Sequence, residues 1–291
     1  MTAPTLALTV DLEEWNDGLG LPPGEPRVEM DVAWLLEAFS AAGVRATFFV
    51  LGGVLDRHPG LVRGIAREGH EIGFHGARHV HLERVGAAAF DRELAEWLPR
   101  LEDVAGCAVA GYRAPFFSIT RRTAWALEIL SSRGIRFDAS IYPGPNDRYG
   151  WWGAPREPVR LPGGLALFPV PVLHDAVPLA YSGGAYLRIL PRWVVRWGLS
   201  RERARDRLGM VYVHPWEVSA RRPDAGEASW RALVTRELRQ RRMRACVCDL
   251  LTSEADRAAP MGEVLSARGE LPTWDPTPSD RATPVFARGR A

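Results

Sequence analysis

The chain contains no lysine; every one of its basic residues is arginine, a bias that reads as codon composition rather than function. Those 37 arginines face 35 acidic residues, for a formal net charge of +2. So small a bulk field gives no reason to expect nucleic acid or an anionic surface as partner. Cysteine is scarce: Cys107, Cys246 and Cys248 form neither a zinc-knuckle spacing nor a disulfide framework. Cys246 and Cys248, two apart in a run that reads as a strand, are expected as small core residues. No apolar run reaches the roughly 20 residues that a bilayer-spanning helix needs. Met1-Thr2-Ala3-Pro4 enters the first strand without the basic start and apolar stretch of a secretory leader, so the expected location is the cytoplasm. The segment 190–197 is amphipathic, with Trp193 and Trp197 on one helical face. It reads as packing against the domain, with peripheral membrane contact as the alternative.

What is present is an ordinary globular composition, 46% hydrophobic and 25% charged over 291 residues, enough for one large domain or two small ones. Strand-like and helix-like segments alternate. Strands are expected at 6–10, 46–51, 70–74, 108–112, 135–138, 165–170, 209–214 and 244–249. Helices are expected at 31–42, 61–68, 87–104, 121–133, 229–242 and near 262–267. The region 143–184 is less regular and rich in Pro, Gly and Trp. This order of β–α units predicts an α/β fold, a distorted or incomplete (β/α) barrel. No linker divides the chain into two cores, and the stretch beyond Arg268 is a Pro-rich polar tail.

Two patterns carry chemistry. His75 and His79 lie four apart just after a strand-like run, in Gly69-His70-Glu71-Ile72-Gly73-Phe74-His75-Gly76-Ala77-Arg78-His79. On one helical turn such a pair shares a face, so two imidazoles can converge on one ion and leave room for an acidic ligand and a water. Alone, the pair is a weak signal. Asp11 and Glu13 close the first strand and, two apart, point to the same side. Two carboxylates brought together are costly unless something positive lies between them; alone, the pair reads as a solvated acidic turn. In a barrel, strand C-termini share one rim, which brings Asp11, Glu13, His75, His79, Arg113, Asp138 and His214 to the same end.

These segments resemble the polysaccharide deacetylase family, carbohydrate esterase family four, with its NodB-homology domain. Ala46-Thr47-Phe48-Phe49-Val50 is similar to the family's second strand, and Gly69 to His75 with His79 to its metal-binding motif. Gly111-Tyr112-Arg113-Ala114-Pro115-Phe116 is similar to its Arg-x-Pro motif, and Val213-His214-Pro215-Trp216-Glu217 to its late histidine motif. Phe168-Pro169-Val170 and Ser182-Gly183-Gly184-Ala185-Tyr186-Leu187-Arg188 further resemble the branch found with bacterial exopolysaccharide and exosortase loci. The likeness covers about Thr5 to Leu265, which makes 1–268 a catalytic domain and 269–291 a tail. One departure is that Leu12 separates Asp11 from Glu13, where the family's commonest first motif has adjacent aspartates.

The resemblance implies a divalent metal ion, zinc by default, and hydrolysis of N-acetyl groups on an amino-sugar glycan. Glu13, His75 and His79 become the metal ligands and Asp11 the base, with the exchange of Asp11 and Glu13 as the alternative. Arg113 would orient Asp11, and His214 would be the general acid, its tautomer held by Asp138. A backbone N–H near Phe116 would complete an oxyanion site. Tyr186 and Arg188 would line the sugar groove, while Trp151, Trp152 and Trp216 could stack on sugar faces. His58 and His70 read as structural, His81 as surface or supporting, and His174 as a possible substrate contact. The competing readings are a hydrolase of a small amide or ureide, allantoinase- or deformylase-like, and an inactive glycan-binding barrel.

Overall fold

The computed structural model describes residues 3–17, 27–146, 149–173, 178–219 and 240–276. One curled sheet of nine strands organises them, in the order β6-β7-β5-β4-β3-β2-β1-β8, with β9 paired beside β1. The strands are β1 (Leu6–Leu12), β2 (Thr47–Val50), β3 (Glu71–Phe74), β4 (Gly111–Tyr112), β5 (Phe137–Asp138), β6 (Val159–Arg160), β7 (Ala166–Leu167), β8 (Gly209–Val213) and β9 (Ala258–Ala259). Every pairing is parallel except β6 with β7. The path is open at β6 and β8, so the fold is a half-barrel rather than a closed one. The principal helices are α1 (Val28–Ala42), α2 (Gly52–Arg57), α3 (Pro59–Arg67), α4 (Leu82–Val85), α5 (Ala87–Ala105), α6 (Trp125–Ser132), α7 (Ala185–Ile189), α8 (Arg192–Ala204), α9 (Gln240–Glu254) and α10 (Met261–Arg268).

Strand alternation separates two layers of core. On β1, Leu6, Leu8, Val10 and Leu12 join the layer between sheet and helices, while Ala7 joins the barrel interior. On β2, Phe48 packs outward against Phe39 of α1, and Phe49 packs inward against Phe137. Both faces are covered, which is why β2 reads as a continuous apolar run instead of an alternating one. Helix α10 joins the interior core through Met261, Val264 and Leu265. Its first N–H donates to Thr47 Oγ1 at 2.7 Å, which fastens the helix to β2 near the strand's N-terminal end.

Three expectations are corrected. The run 244–249 lies within helix α9, not in a strand. Met243, Cys246, Val247, Leu250 and Leu251 are buried at spacings of three and four, a helical period that a six-residue window is too short to display. Cys246 is therefore buried, but Cys248 is exposed and not a core residue. Trp193 and Trp197 do not pack against the domain either: they are 70% and 53% exposed on α8. Two strands were not foreseen: β6, which is antiparallel, and the two-residue β9. Most of the helix expected at 229–242 lies outside the described residues. No helix among those described is long and apolar enough to cross a membrane.

His70 behaves as a structural histidine with a pH signature. Its Nδ1 accepts the Ala46 N–H at 3.0 Å while the ring packs edge-on to Phe48. Burial, with the nearby Arg45 charge, lowers its pKa from 6.5 to about 4. Folding favours the neutral ring, so this contribution is complete above pH 6.5 and is lost as pH falls toward 4. His70→Asn keeps an acceptor for Ala46 but cannot titrate. Urea midpoints followed from pH 7 to 4 should fall less steeply in this variant than in the parent, and parallel curves would remove His70 from the account.

Candidate active site

The interior residues of β1 build the floor of the site. Thr9 and Asp11 face inward, and Glu13 continues the alternation just past the strand end. Asp11 is 2% exposed. Arg113 leaves β4 at the neighbouring rim, fully buried, and donates from Nη1 to Asp11 Oδ1 at 2.6 Å and to Thr9 Oγ1 at 3.0 Å. Its Nε reaches the Ala139 carbonyl at 3.3 Å, and the guanidinium lies 4.3 Å over the Phe49 ring. Burial raises the Asp11 carboxyl, but the charges of Arg113, His75 and His214 outweigh it and hold the pKa below the usual carboxylate value. Asp11 is thus kept ionised in a buried setting.

His75 and His79 do converge, though not on a helix. β3 ends at Phe74, and both histidines occupy the loop before α4. Gly76, at φ +90°, turns the chain where a side chain would be strained. The two rings come to 5.6 Å between centroids. His75 Nδ1 lies 2.7 Å from the Arg113 carbonyl, which can only accept, so the proton sits on Nδ1 and Nε2 keeps its lone pair. Burial lowers the His75 pKa to about 4, which favours the neutral, ligating form. His79 Nε2 stands 2.7 Å from Glu13 Oε2, and Trp216 Nε1 donates to Glu13 Oε1 at 3.0 Å.

The donor set fits a divalent ion. One atom each from Glu13, His75 and His79 lie within 4.8 Å of one another, and two imidazoles with one carboxylate are a donor set that binds zinc in hydrolases. The same ligands would accept iron, cobalt, nickel or manganese.

His214 follows β8, and here one expectation is corrected. Asp138 does not hold it: that carboxylate accepts from Ser140 N at 3.0 Å and from Ser140 Oγ at 2.5 Å. Burial raises the Asp138 pKa to about 7. Ser140 Oγ in turn accepts from Ala114 N at 2.7 Å, so Asp138 braces the loop after Arg113. The partner of His214 is Glu217, whose Oε2 lies 2.9 Å from Nδ1 and also accepts from His214 N at 3.0 Å. Arg188 Nε donates to the other Glu217 oxygen at 2.8 Å. His214 Nε2 is then left facing Asp11 Oδ2 at 3.7 Å and Glu13 Oε1 at 3.9 Å. Burial alone would lower the His214 pKa, but the Glu217 charge and hydrogen bond, with Glu13 and Asp11, raise it above 6.5.

Glu217 was overlooked, although a glutamate three residues after His214 in a Pro-initiated turn carries a capping-box signature. Glu217→Gln preserves the shape and removes the charge. Since Glu217 raises the pKa of His214, the alkaline limb of the kcat/KM profile should move to lower pH, with activity at acidic pH largely kept. A profile that superimposes on the parent's would separate Glu217 from the chemistry.

A cavity of about 360 Å³ opens over these groups, and Phe116, Tyr149, Tyr186 and Tyr212 are among its walls. Phe116 stands at φ 58° with its ring 4.3 Å from His79. Gly183 lies so close to Tyr212 that a Cβ there would come within 1.9 Å of the ring, which brings the 182–186 segment against β8. Arg188 and Trp216 line the cavity too, but Arg188 Nε donates to Glu217 and Trp216 Nε1 to Glu13. Trp216 stacks on His214 at 5.1 Å rather than standing open as a sugar platform. Trp151 is 1% exposed and packs against Trp274, so it cannot stack on a sugar, whereas Trp152 is 52% exposed. His81 accepts from Glu83 N at the start of α4, and His58 lies 2.9 Å from Glu29. His174 lies outside the described residues.

A curled parallel half-barrel with a carboxylate and two histidines at its C-terminal rim defines a class of α/β proteins, and sequence comparison narrows it. Residues 4–136, a little under half of the chain, match the polysaccharide deacetylase family model. Residues 139–258 match a domain of unknown function, DUF3473. The chitooligosaccharide deacetylase of Rhizobium leguminosarum bv. trifolii is 35% identical over 97 residues, 33% of this chain and 42% of that protein. The chain thus spans less than half of that curated relative. In structure, a Mycobacterium smegmatis protein classed with the polysaccharide deacetylases superposes with a TM-score of 0.62 at 22% identity, covering 95% of this chain and 96% of the other. PuuE allantoinase superposes at 0.57 with 15% identity, covering 90% and 88%. At these identities the two structures establish a shared fold only.

Proposed function

We propose that this chain is a metal-dependent hydrolase that removes N-acetyl groups from an amino-sugar glycan. The observation that carries the reading is the convergence of Glu13, His75 and His79 beside an ionised Asp11. The match of 4–136 to the polysaccharide deacetylase family model supports the substrate class, as does a relative named for chitooligosaccharide deacetylation. The ion, zinc by default, would be held by Glu13, His75 and His79 and would supply Lewis-acid polarisation of water and of the acyl oxygen. Asp11, fixed by Arg113, takes the proton of the attacking water. His214, whose pKa Glu217 raises, delivers a proton to the departing nitrogen, since an unprotonated amine leaves poorly. A cavity of this size is at the small end for ligand sites, which suits one acylated sugar residue at the centre.

The likeness of 168–170 and 182–188 to deacetylases of exopolysaccharide loci favours an exopolysaccharide or its lipid-linked precursor. The test is acetate release from N-acetylhexosamine oligomers after loading with zinc, run beside ammonia or formate release from allantoin and small formamides. Acetate alone supports the proposal. Ammonia or formate alone would reassign the chain to small amides, and sugar binding without turnover or restorable metal would make it a binding barrel.

A further inference from the structure

Helix α8 presents a face that the active site does not use. Val195, Gly198, Leu199 and Glu202 are its buried side, and Gly198 sits so close to Tyr181 that a Cβ there would come within 2.4 Å of the ring. The helix is therefore packed closely on this side, and its opposite side is turned outward. There Trp193 is 70% exposed and Trp197 53% exposed, with Ile189 of the preceding α7 at 47%. At about 100° per residue the two indoles lie roughly 40° apart on the outward arc. Arg192, Arg196 and Arg203 fall to one flank of them and Arg201 to the other. Arg201 lies 5.9 Å over the Trp197 ring.

The charge of this segment differs sharply from that of the chain. Arginine occupies positions 192, 196, 201, 203 and 205, and the single acidic residue from 189 to 205 is Glu202, which is buried. Asp249 and Asp256 answer Arg192 and Arg203 from neighbouring segments. Tryptophans between arginine flanks match the boundary between headgroups and acyl chains, where the indole sits at the headgroup level and guanidinium groups pair with phosphate. Tryptophan and arginine are also enriched at protein interfaces, so a second copy of the chain is the outcome that the test must separate from a lipid surface.

We infer that α8 docks this protein onto an anionic lipid bilayer, with Trp193 and Trp197 entering the interface and the flanking arginines on lipid phosphates. Tyr186, one turn before Ile189 on α7, lines the cavity, so the docking face and the site share one stretch of chain. This inference does not depend on the reaction proposed above.

The test is co-sedimentation of the full chain with phosphatidylcholine vesicles, with and without phosphatidylglycerol. Binding to the anionic vesicles that weakens as salt rises is expected. The double variant Trp193→Ser/Trp197→Ser should partition at least about tenfold less, because two indoles no longer bury apolar surface. Arg196→Gln, a milder change with no packing role, should weaken binding to anionic vesicles alone. Acetate release from a soluble oligomer should be unchanged in all three proteins, which keeps docking separate from catalysis. The inference is overturned if the parent chain stays in the supernatant with both vesicle types. Equal sedimentation of parent and Trp-free helix would overturn it too, as would Trp-dependent self-association without vesicle binding, which would assign the face to a second copy.

Discussion

Asp11→Asn should lower deacetylation by about 10²- to 10⁴-fold, the range that loss of a positioned general base produces. Asparagine keeps an oxygen to accept from Arg113 Nη1 and keeps the volume of the site, so the pocket should survive. What disappears is the charge proposed to take a proton from water. The proposed ligand atoms of Glu13, His75 and His79 are untouched, and metal content measured after dialysis should equal the parent's. Kinetics and metal content together decide between the two carboxylates. A variant that stays active, or one that loses its ion along with its activity, would reverse the roles of Asp11 and Glu13.

The second large effect is on stability. Arg113 and Asp11 form a buried pair, with side chains 0% and 3% exposed. Removing one partner of such a pair typically costs about 3–5 kcal/mol, because the other charge is left without compensation in a poorly polarisable interior. Arg113→Met keeps a long apolar stem over Phe49 but strands the Asp11 carboxylate, and its urea midpoint should fall accordingly. Combining it with Asp11→Asn removes the stranded charge as well. The double variant should therefore be more stable than Arg113→Met alone, a non-additivity that identifies direct coupling. Additive losses would show that Arg113 acts mainly through packing and its bonds to Thr9 and Ala139.

Much of the framework was legible residue by residue. β2 and β8 announce themselves as largely apolar runs because parallel strands covered on both faces are predominantly apolar. Asp11 and Glu13 could be placed on one side from strand alternation alone. Helix α9 reads as a strand locally because Arg244-Ala245-Cys246-Val247-Cys248-Asp249 is a short apolar run bounded by charges, a pattern that strand and helix share. Its helical period emerges only when Met243, Leu250 and Leu251 are included.

The partners of the reacting groups were less legible. His79 reaches His75 through a loop turned at Gly76, so the spacing of four was a sound signal attached to the wrong local geometry. Asp138 stood at a strand end, as expected, but strand ends share a rim several residues wide. Which carboxylate meets His214 is decided over a few ångströms, and Glu217 arrives there by a short turn while Asp138 is held by Ser140. Trp216 had the composition of a sugar platform, yet its indole N–H is spent on Glu13.

By itself the sequence determined the kinds of residue available and the elements that carry them: strand periodicity is local, and so are the motifs that end each strand. The tertiary structure decided which polar atom pairs with which, because hydrogen bonds and ion pairs depend on the relative placement of loops far apart in the chain. It also decided that Trp193 and Trp197 face outward, since amphipathic spacing defines a face but not what lies against it.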